Sequence, residues 1–294
     1  MEEIRFGNIV FLPGLNKGRY PYCNSLFIDD TIKAVIDPAC SRDVLLNIKK
    51  TKGVDVIINT HYHEDHFAFN YLFPEAELWV NELDAPCFKS LESLYEFWDI
   101  YGTSLEPGFD EYLKSFNYQE RVPAREFRDG DILDFGSTKL RVIHAPGHTP
   151  GHSCFYCEEQ KLLFTADLDL LPFGPWYGDK YSDIDQTIAS VHMLQKIPAE
   201  FFITSHHRGV MKGNIDREAE IYLNVIQERE NRVLDFLKNE STIPVMREKW
   251  LIYEKPHEPL NFYTYAEEVM LKKHLAYSIK KGRLKKTGDR YITI

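Results

Sequence analysis

Cysteine is scarce in this chain: five residues in 294, at positions 23, 40, 87, 154 and 157. An odd, scattered set is a poor disulfide framework and points to a reducing compartment, the cytoplasm. No apolar run approaches a membrane span. The opening MEEIRFGNIVF is acidic and lacks the apolar stretch of a secretion signal, so no membrane partner is expected. Basic charge is not in excess either. The net charge is −10, which argues against a protein that coats nucleic acid, because phosphate binding needs Lys and Arg. Internal repeats and low-complexity segments are absent from the sequence.

What the chain does have is apolar and aromatic mass: 44% hydrophobic residues, with 19 Phe, 17 Tyr and 4 Trp, enough for one large domain and a small one. Short apolar runs at 8–12, 25–28 and 32–36, broken by Pro, Gly and Asp-Asp, predict antiparallel strands. Residues 41–52 predict a helix capped by Ser41 and ended by Gly53, followed by a buried strand over 54–60. Further strands are expected at 76–81, in the runs DILDF and KLRVIHA, in a hairpin over 153–157 and 161–165, and at 201–204. Between them, 84–120 reads as helical and aromatic, and 182–196 as a helix with a loose capping box at Ser182 and Asp185.

From residue 216 the character changes. Long helical stretches at 216–238 and 264–281 precede two alternating runs around Thr287-Gly288-Asp289, as in a hairpin. This predicts a large α/β domain over 1–212, carrying an aromatic helical insert at 84–128, and a small winged-helix-like domain over 213–294. Residues 270–294 hold eight Lys or Arg against Asp289 alone, a charge of +7 that leaves −17 on the remainder. Such a run most often forms a solvated face; presented together on a winged-helix-like module, the charges also offer a contact for RNA.

The densest chemical signal is His61-Tyr62-His63-Glu64-Asp65-His66, directly after an apolar strand. Imidazole and carboxylate are ligands for zinc and similar divalent ions. On a loop turning into a helix, His61 and His63 can face one ion while Asp65 and His66 face another. Further candidates follow other strands: His148 in Ala145-Pro146-Gly147-His148, Asp167 in Thr165-Ala166-Asp167, and His206 in Thr204-Ser205-His206-His207. Each lies just beyond a strand's C-terminal end, where the loops of a sheet converge.

These blocks, HxHxDH, Gly-His-Thr, a single Asp and a late His, in order across residues 54–209, resemble the metallo-β-lactamase-fold hydrolase superfamily. The resemblance implies an αββα sandwich of two sheets with helices outside. It implies that His61, His63 and His148 hold one ion, that Asp65, His66 and His206 hold a second, and that Asp167 bridges them. Of the pair at 206–207, the family's habit of a small residue before the late His favours His206. The segment 172–185, SHHRGVM, and the KHL and KKGRL runs near the end resemble more loosely a branch of that superfamily with a winged-helix-like C-terminal domain, the LACTB-type proteins. Members of that branch are associated with cleavage of single-stranded RNA, and relatives with thioester hydrolysis.

Two divalent ions, zinc, iron or manganese, would share a water or hydroxide as nucleophile. Asp65 would both bind the second ion and orient the hydroxide. The expected substrate is a small-molecule or acyl-carrier thioester, or another acyl compound. A single-stranded RNA endonuclease is the second reading and a mononuclear iron dioxygenase of sulfur compounds the third, although one ion does not need seven ligands. The C-terminal segment does not match the helical substrate domain of glyoxalase-type enzymes, so glutathione thioesters are not assigned.

Trp176, Tyr177 and His207 are candidate substrate contacts. His152 is expected to be structural or to support a ligand, His144 to pack or hydrogen-bond, and Glu64 to be the exposed member of its motif. Cys154 and Cys157 would point to opposite faces of a strand and belong to the core. The insert aromatics Phe88, Tyr95, Phe97, Trp98, Tyr101, Phe109 and Tyr112 suit plain helix packing, a pocket wall or a homodimer interface.

Overall fold

A computed structural model describes residues 4–294; Met1–Glu3, the first residues of the opening segment weighed above as a leader, lie outside the described residues. Two sheets face each other. The first runs β1 (Ile4–Phe6), β2 (Ile9–Leu12), β3 (Ser25–Ile28), β4 (Ala34–Ile36), β5 (Val56–Ile58), β6 (Glu77–Asn81) and β7 (Arg125–Phe127), antiparallel as far as β4 and parallel beyond it. The second contains β8 (Ile132–Asp134), β9 (Lys139–His144), β10 (Ser153–Cys157), β11 (Leu162–Ala166), β12 (Phe201–Thr204) and β13 (Val210–Lys212), ordered from β13 to β8, with β11 and β12 parallel.

Strand periodicity builds the sandwich. Phe155 and Cys157 point between the sheets with Ile28, Ile58, Phe127, Phe135 and Phe164. Cys154 and Tyr156, one residue out of phase, point outward. The expected opposition of the two cysteines holds, and all five thiols are free and buried. Because helices cover both outer faces, the central strands are buried on both sides and lack polar alternation.

On the outside of the first sheet lie a tight turn α1 (Leu15–Gly18), α2 (Arg42–Thr51), the one-turn α3 (Glu64–Phe67), and the insert helices α4 (Ala85–Lys89), α5 (Leu91–Phe97) and α6 (Phe109–Ser115). Helices α7 (Ile184–Leu194) and α8 (Asp216–Phe236) cover the second sheet through Val191, Leu194, Ala219 and Tyr222. The architecture is the expected αββα sandwich.

Ser41 occupies the N-cap of α2 as expected, without a side-chain hydrogen bond. A second helix start differs from the sequence reading. Helix α7 is capped by Asp183, which accepts from the Gln186 N–H, because the Ser182 hydroxyl is engaged by the His148 carbonyl.

After α8 come β14 (Ser241–Thr242), α9 (Ile243–Arg247), α10 (Leu260–Lys280), β15 (Leu284–Thr287) and β16 (Arg290–Thr293), with the strands ordered β14-β16-β15. The terminal hairpin is present as expected. Helix α10 starts four residues earlier than expected, directly after Pro259. It is buried along Tyr265, Met270, Leu271 and Leu275, and the Tyr265 hydroxyl donates to the Trp98 carbonyl in the insert. No described helix is long and apolar enough to cross a membrane.

Candidate metal centre

The seven expected donors converge at one edge of the sandwich. β5 ends into His61–His66, β9 into His148, β11 into Asp167 and β12 into His206. Two local devices aim these side chains. Gly147 sits at φ +126, and a Cβ there would come within 2.3 Å of the Thr187 nitrogen, so the Pro-Gly turn before His148 requires glycine. Ala166 takes φ +50 at a register shift between β11 and β12, which turns Asp167 toward the histidines.

His61, His63, His148 and Asp167 form one donor set and Asp65, His66 and His206 another, the donor atoms in each lying within 4.8 Å of one another. In the first, His61 Nε2 is 3.1 Å from His63 Nδ1 and 3.3 Å from His148 Nε2. Asp167 joins the two: its Oδ2 is 3.4 Å from His148 Nε2, and its Oδ1 is 3.1 Å from His66 Nε2 and 3.4 Å from His206 Nε2. Asp65 Oδ2 lies 3.4 Å from His206 Nε2.

The far nitrogen of each imidazole is engaged, which turns the near one toward the cluster. His61 Nδ1 donates to Thr60 Oγ1 at 2.9 Å, His66 Nδ1 to Asp37 Oδ2 at 2.9 Å and His63 Nε2 to Asp179 Oδ2 at 2.8 Å. His148 Nδ1 donates to the Trp176 carbonyl at 2.9 Å and His206 Nδ1 to the Gly18 carbonyl at 2.7 Å. Inside the cluster, His66 Nε2 and Asp167 Oδ1 are buried and complete no hydrogen bond. Two such groups side by side, in an all-imidazole and carboxylate set, fit divalent cations.

The electrostatics agree. Burial pushes His148 down to about 4 and, with His66 nearby, holds His61 well below its usual range. At His63 burial is outweighed by the Asp179 carboxylate, which raises it to about 9; at His206 burial is outweighed by Asp167, which raises it to about 10. Asp167, despite burial, is held well below the carboxylate range by His66 and His206.

Other expectations resolve residue by residue. His206 is buried in the cluster, whereas His207, at φ +49, turns out to the surface and accepts from Arg19 Nε at 3.3 Å. His152 supports the site: its Nδ1 donates to the Ala145 carbonyl and its Nε2 accepts the Asp167 N–H at 3.2 Å. His144 hydrogen-bonds the Pro150 carbonyl. Glu64 is not exposed. It is buried, its Oε1 accepts from the Tyr20 and Tyr112 hydroxyls, and burial beside Asp65 raises it to about 7. Of the insert aromatics, Trp98 reaches the cleft, while Phe88 and Phe109 are packed in the outer core.

Trp176 and His207 line a cleft of about 850 Å³ that opens from His63, Asp65, His148, Asp167 and His206 toward α8 and residues 252–263. Tyr177 does not line it. It is fully buried, donating to His274 Nε2 at 2.8 Å and accepting from Arg229 Nη1 at 3.1 Å, because its side chain leaves the backbone on the face opposite Trp176.

The supporting groups Asp37, Asp179 and Asp84 carried no signal in the sequence. Asp84 accepts from Thr149 Oγ1 at 2.7 Å and from the Gly151 N–H at 2.6 Å, fastening the loop that bears His148. Residues 172–183, which deliver the Trp176 carbonyl and Asp179, are themselves fastened from the C-terminal helices. Arg229 of α8 donates to the Phe173 and Pro175 carbonyls at 2.7 Å each, and Lys273 of α10 donates to the Lys180 and Ser182 carbonyls at 2.7 and 2.9 Å.

Comparison with known proteins places this geometry in context. Residues 19–206 match the model of the metallo-beta-lactamase superfamily. The chain is 30% identical over 155 residues to the hydroxyacylglutathione hydrolase GloC of Haemophilus influenzae, covering 50% of this chain and 65% of that protein. It is 28% identical over 128 residues to the acyl-coenzyme A thioesterase MBLAC2 of Bos taurus, covering 40% and 44%. The chain thus spans less than two thirds of either relative. Among solved structures, a metallo-beta-lactamase family protein of Thermus thermophilus superimposes with a TM-score of 0.74 at 23% identity, over 98% of this chain and 99% of that one.

Proposed function

The chain belongs to the metallo-beta-lactamase superfamily, and from that premise we propose that it is a metal-dependent hydrolase of thioesters or related acyl compounds, working with two divalent ions, zinc in our reading. The observation that carries this is Asp167, whose two carboxylate oxygens turn to two separate sets of imidazoles. One carboxylate shared in this way suits a paired centre held by His61, His63 and His148 on one side and Asp65, His66 and His206 on the other.

Ions bound there would lower the pKa of a water to roughly 7 and polarise the acyl oxygen. The chain's own residues do the rest. Asp65, buried beside His206, accepts a hydrogen bond from the attacking water and sets its direction. Asp37, Asp179 and the Trp176 carbonyl hold three imidazoles in the tautomer that leaves a lone pair inward. Trp98 and Trp176 exclude water from one side of the cleft. Oxygen adds to the acyl carbon, the carbon–sulfur bond breaks, and a carboxylate and a thiol leave.

The relatives named as thioesterase and hydroxyacylglutathione hydrolase support the acyl reading. The C-terminal elements follow the helix–strand–helix–helix–strand–strand order of a winged helix, and we read 213–294 as that module. Its basic residues are largely engaged, which weighs against RNA contact. Lys272 pairs with Glu268, Lys280 and Lys281 with Asp185, and Arg290 with Glu240, while Lys273 is turned into the body. Five buried free thiols suit a reducing compartment such as the cytoplasm.

The test is release of free thiol from a panel of acyl-thioesters, glutathione and coenzyme A derivatives included, by zinc-loaded protein, with His148→Ala as control. Turnover that vanishes in the variant is expected. Absence of turnover together with cleavage of single-stranded RNA would overturn the reading.

A further inference from the structure

The cleft extends past the donor cluster toward α8 and residues 252–263. Around the cluster its polar side includes Tyr20, Glu64, Asp169 and His207. Beyond the cluster its lining is rich in rings. Trp176 begins it, with its ring 5.3 Å from that of His63 and 5.8 Å from that of His148. Phe173 and Tyr253 continue it at 5.4 Å, Tyr253 and Tyr263 at 5.3 Å, and Tyr263 and Phe262 at 5.4 Å. Phe173 is 45% exposed, an unusual state for a phenylalanine beside a buried tyrosine. The volume, about 850 Å³, lies in the range of small-molecule sites.

Of the cations near this wall, Lys255 lies at the outer end, and the two arginines nearer the rings are already engaged. Arg232 is held by Glu254 at 2.9 Å and by the Leu251 and Ile252 carbonyls, and Arg229 is consumed by the Phe173 and Pro175 carbonyls. Glu228 adds negative charge to the same stretch. A row of rings ending at the donor cluster, with its arginines neutralised, selects for apolar matter attached to the group that reacts.

We propose that this aromatic wall, contributed jointly by residues 173–176 and by 253–263 of the C-terminal unit, is the binding site for the acyl group, and that it selects medium-chain or aryl acyl thioesters over short polar ones. The proposal rests on the acyl-hydrolase reading for its chemistry. With the acyl carbonyl at the donor cluster, the chain lies along Trp176, Phe173, Tyr253 and Tyr263, and the amide-bearing thiol leaves along the polar side. The C-terminal module thereby becomes the specificity element of the enzyme.

The test uses the full-length zinc-loaded protein and S-acyl-N-acetylcysteamines with acetyl, hexanoyl, decanoyl and 4-phenylbutanoyl groups. Each methylene buried on the wall is worth up to roughly fourfold in kcat/KM, so the decanoyl-to-acetyl ratio should reach about a hundredfold or more. In Phe173→Ala and in Tyr263→Ala that ratio should fall about tenfold, each variant serving as its own control for folding. Binding of the non-hydrolysable thioether S-decyl-N-acetylcysteamine is followed in parallel by tryptophan fluorescence. A flat dependence on chain length with no binding of the thioether overturns the wall. Binding of the thioether that is lost in Phe173→Ala, in a protein that cleaves no thioester, supports the wall and refutes the hydrolase reading instead.

Discussion

Asp37 is the most informative residue to change. It is fully buried at the end of β4, and its carboxylate accepts three hydrogen bonds: from the Thr60 N–H at 2.8 Å, from Thr60 Oγ1 at 2.8 Å and from His66 Nδ1 at 2.9 Å. Asp37→Asn preserves the shape. It also preserves the backbone, since Asp37 sits at φ +50, a conformation that asparagine tolerates. Only the chemistry at one atom changes: an NH₂ replaces the oxygen that faced Thr60 Oγ1 and His66. Thr60 Oγ1 can adapt by accepting. His66 Nδ1 must become an acceptor, which moves its proton to Nε2 and removes the lone pair from the second donor set. His61 keeps its bond to Thr60 Oγ1, so the first set is spared.

Losing such a supporting carboxylate typically weakens metal binding 10–100-fold, about 1.4–2.7 kcal/mol at tenfold per 1.4 kcal/mol. Competition with a chromophoric chelator, read as stoichiometry and two affinities, is the assay. The expected result is one ion bound nearly as in the wild type and a second bound 10–100-fold more weakly. A folded variant holding two ions with unchanged affinities would refute the tautomer argument.

Four further perturbations test other parts of the structure. Metal loading at pH 7.5 should release protons, because His63 and His206, raised to about 9 and 10, are protonated in the metal-free protein. Calorimetry in buffers of different ionisation enthalpy counts those protons, and affinity should weaken as pH falls through 9. The same raised values mean that these imidazoliums stabilise the metal-free fold fully below the unfolded value near 6.5. That stability is lost as pH rises through 9 to 10, which thermal melts of metal-free protein at pH 7 and 10.5 would register. Arg229→Met leaves the Phe173 and Pro175 carbonyls without their donor; at about 1–3 kcal/mol per buried orphan it should cost about 2–6 kcal/mol in chemical denaturation. Phe155→Ala, between the sheets and 5.7 Å from the Phe127 ring, should cost about 3–5 kcal/mol, and unchanged zinc stoichiometry in the folded fraction would show that the core and the centre are separable.

The candidate donors, and their convergence, were legible in the sequence because each is local: a His or Asp shortly after an apolar strand, with turn residues before it. The groups that aim those donors were not. His66 and Asp37 are 29 positions apart and His63 and Asp179 are 116 apart, so only the packed sandwich brings each pair within 3 Å. Tyr177 was misread for the opposite reason. Nearness to Asp167 along the chain says nothing about direction, and neighbouring side chains at 176 and 177 leave on opposite sides. Glu64 shows the same gap: a charged residue in a polar motif reads as exposed until the Tyr20 and Tyr112 hydroxyls are seen to cover it. The cap of α7 fell one residue from its expected place because Ser182 serves the His148 carbonyl instead.

The ties from α8 and α10 to residues 172–183 bear on how small a working version of this molecule can be. A fragment ending at residue 212 would retain all seven candidate donors and the whole family-matched stretch 19–206. It would nevertheless lose Arg229, Lys273 and His274, three of the anchors of the segment that presents the Trp176 carbonyl and Asp179 to His148 and His63, while keeping those from Tyr62 and the Phe97 carbonyl. The motif-bearing stretch is therefore not all that holds the centre in shape, and a foreign C-terminal segment joined to the sandwich would have to reproduce those three anchors to hold residues 172–183 as they stand here.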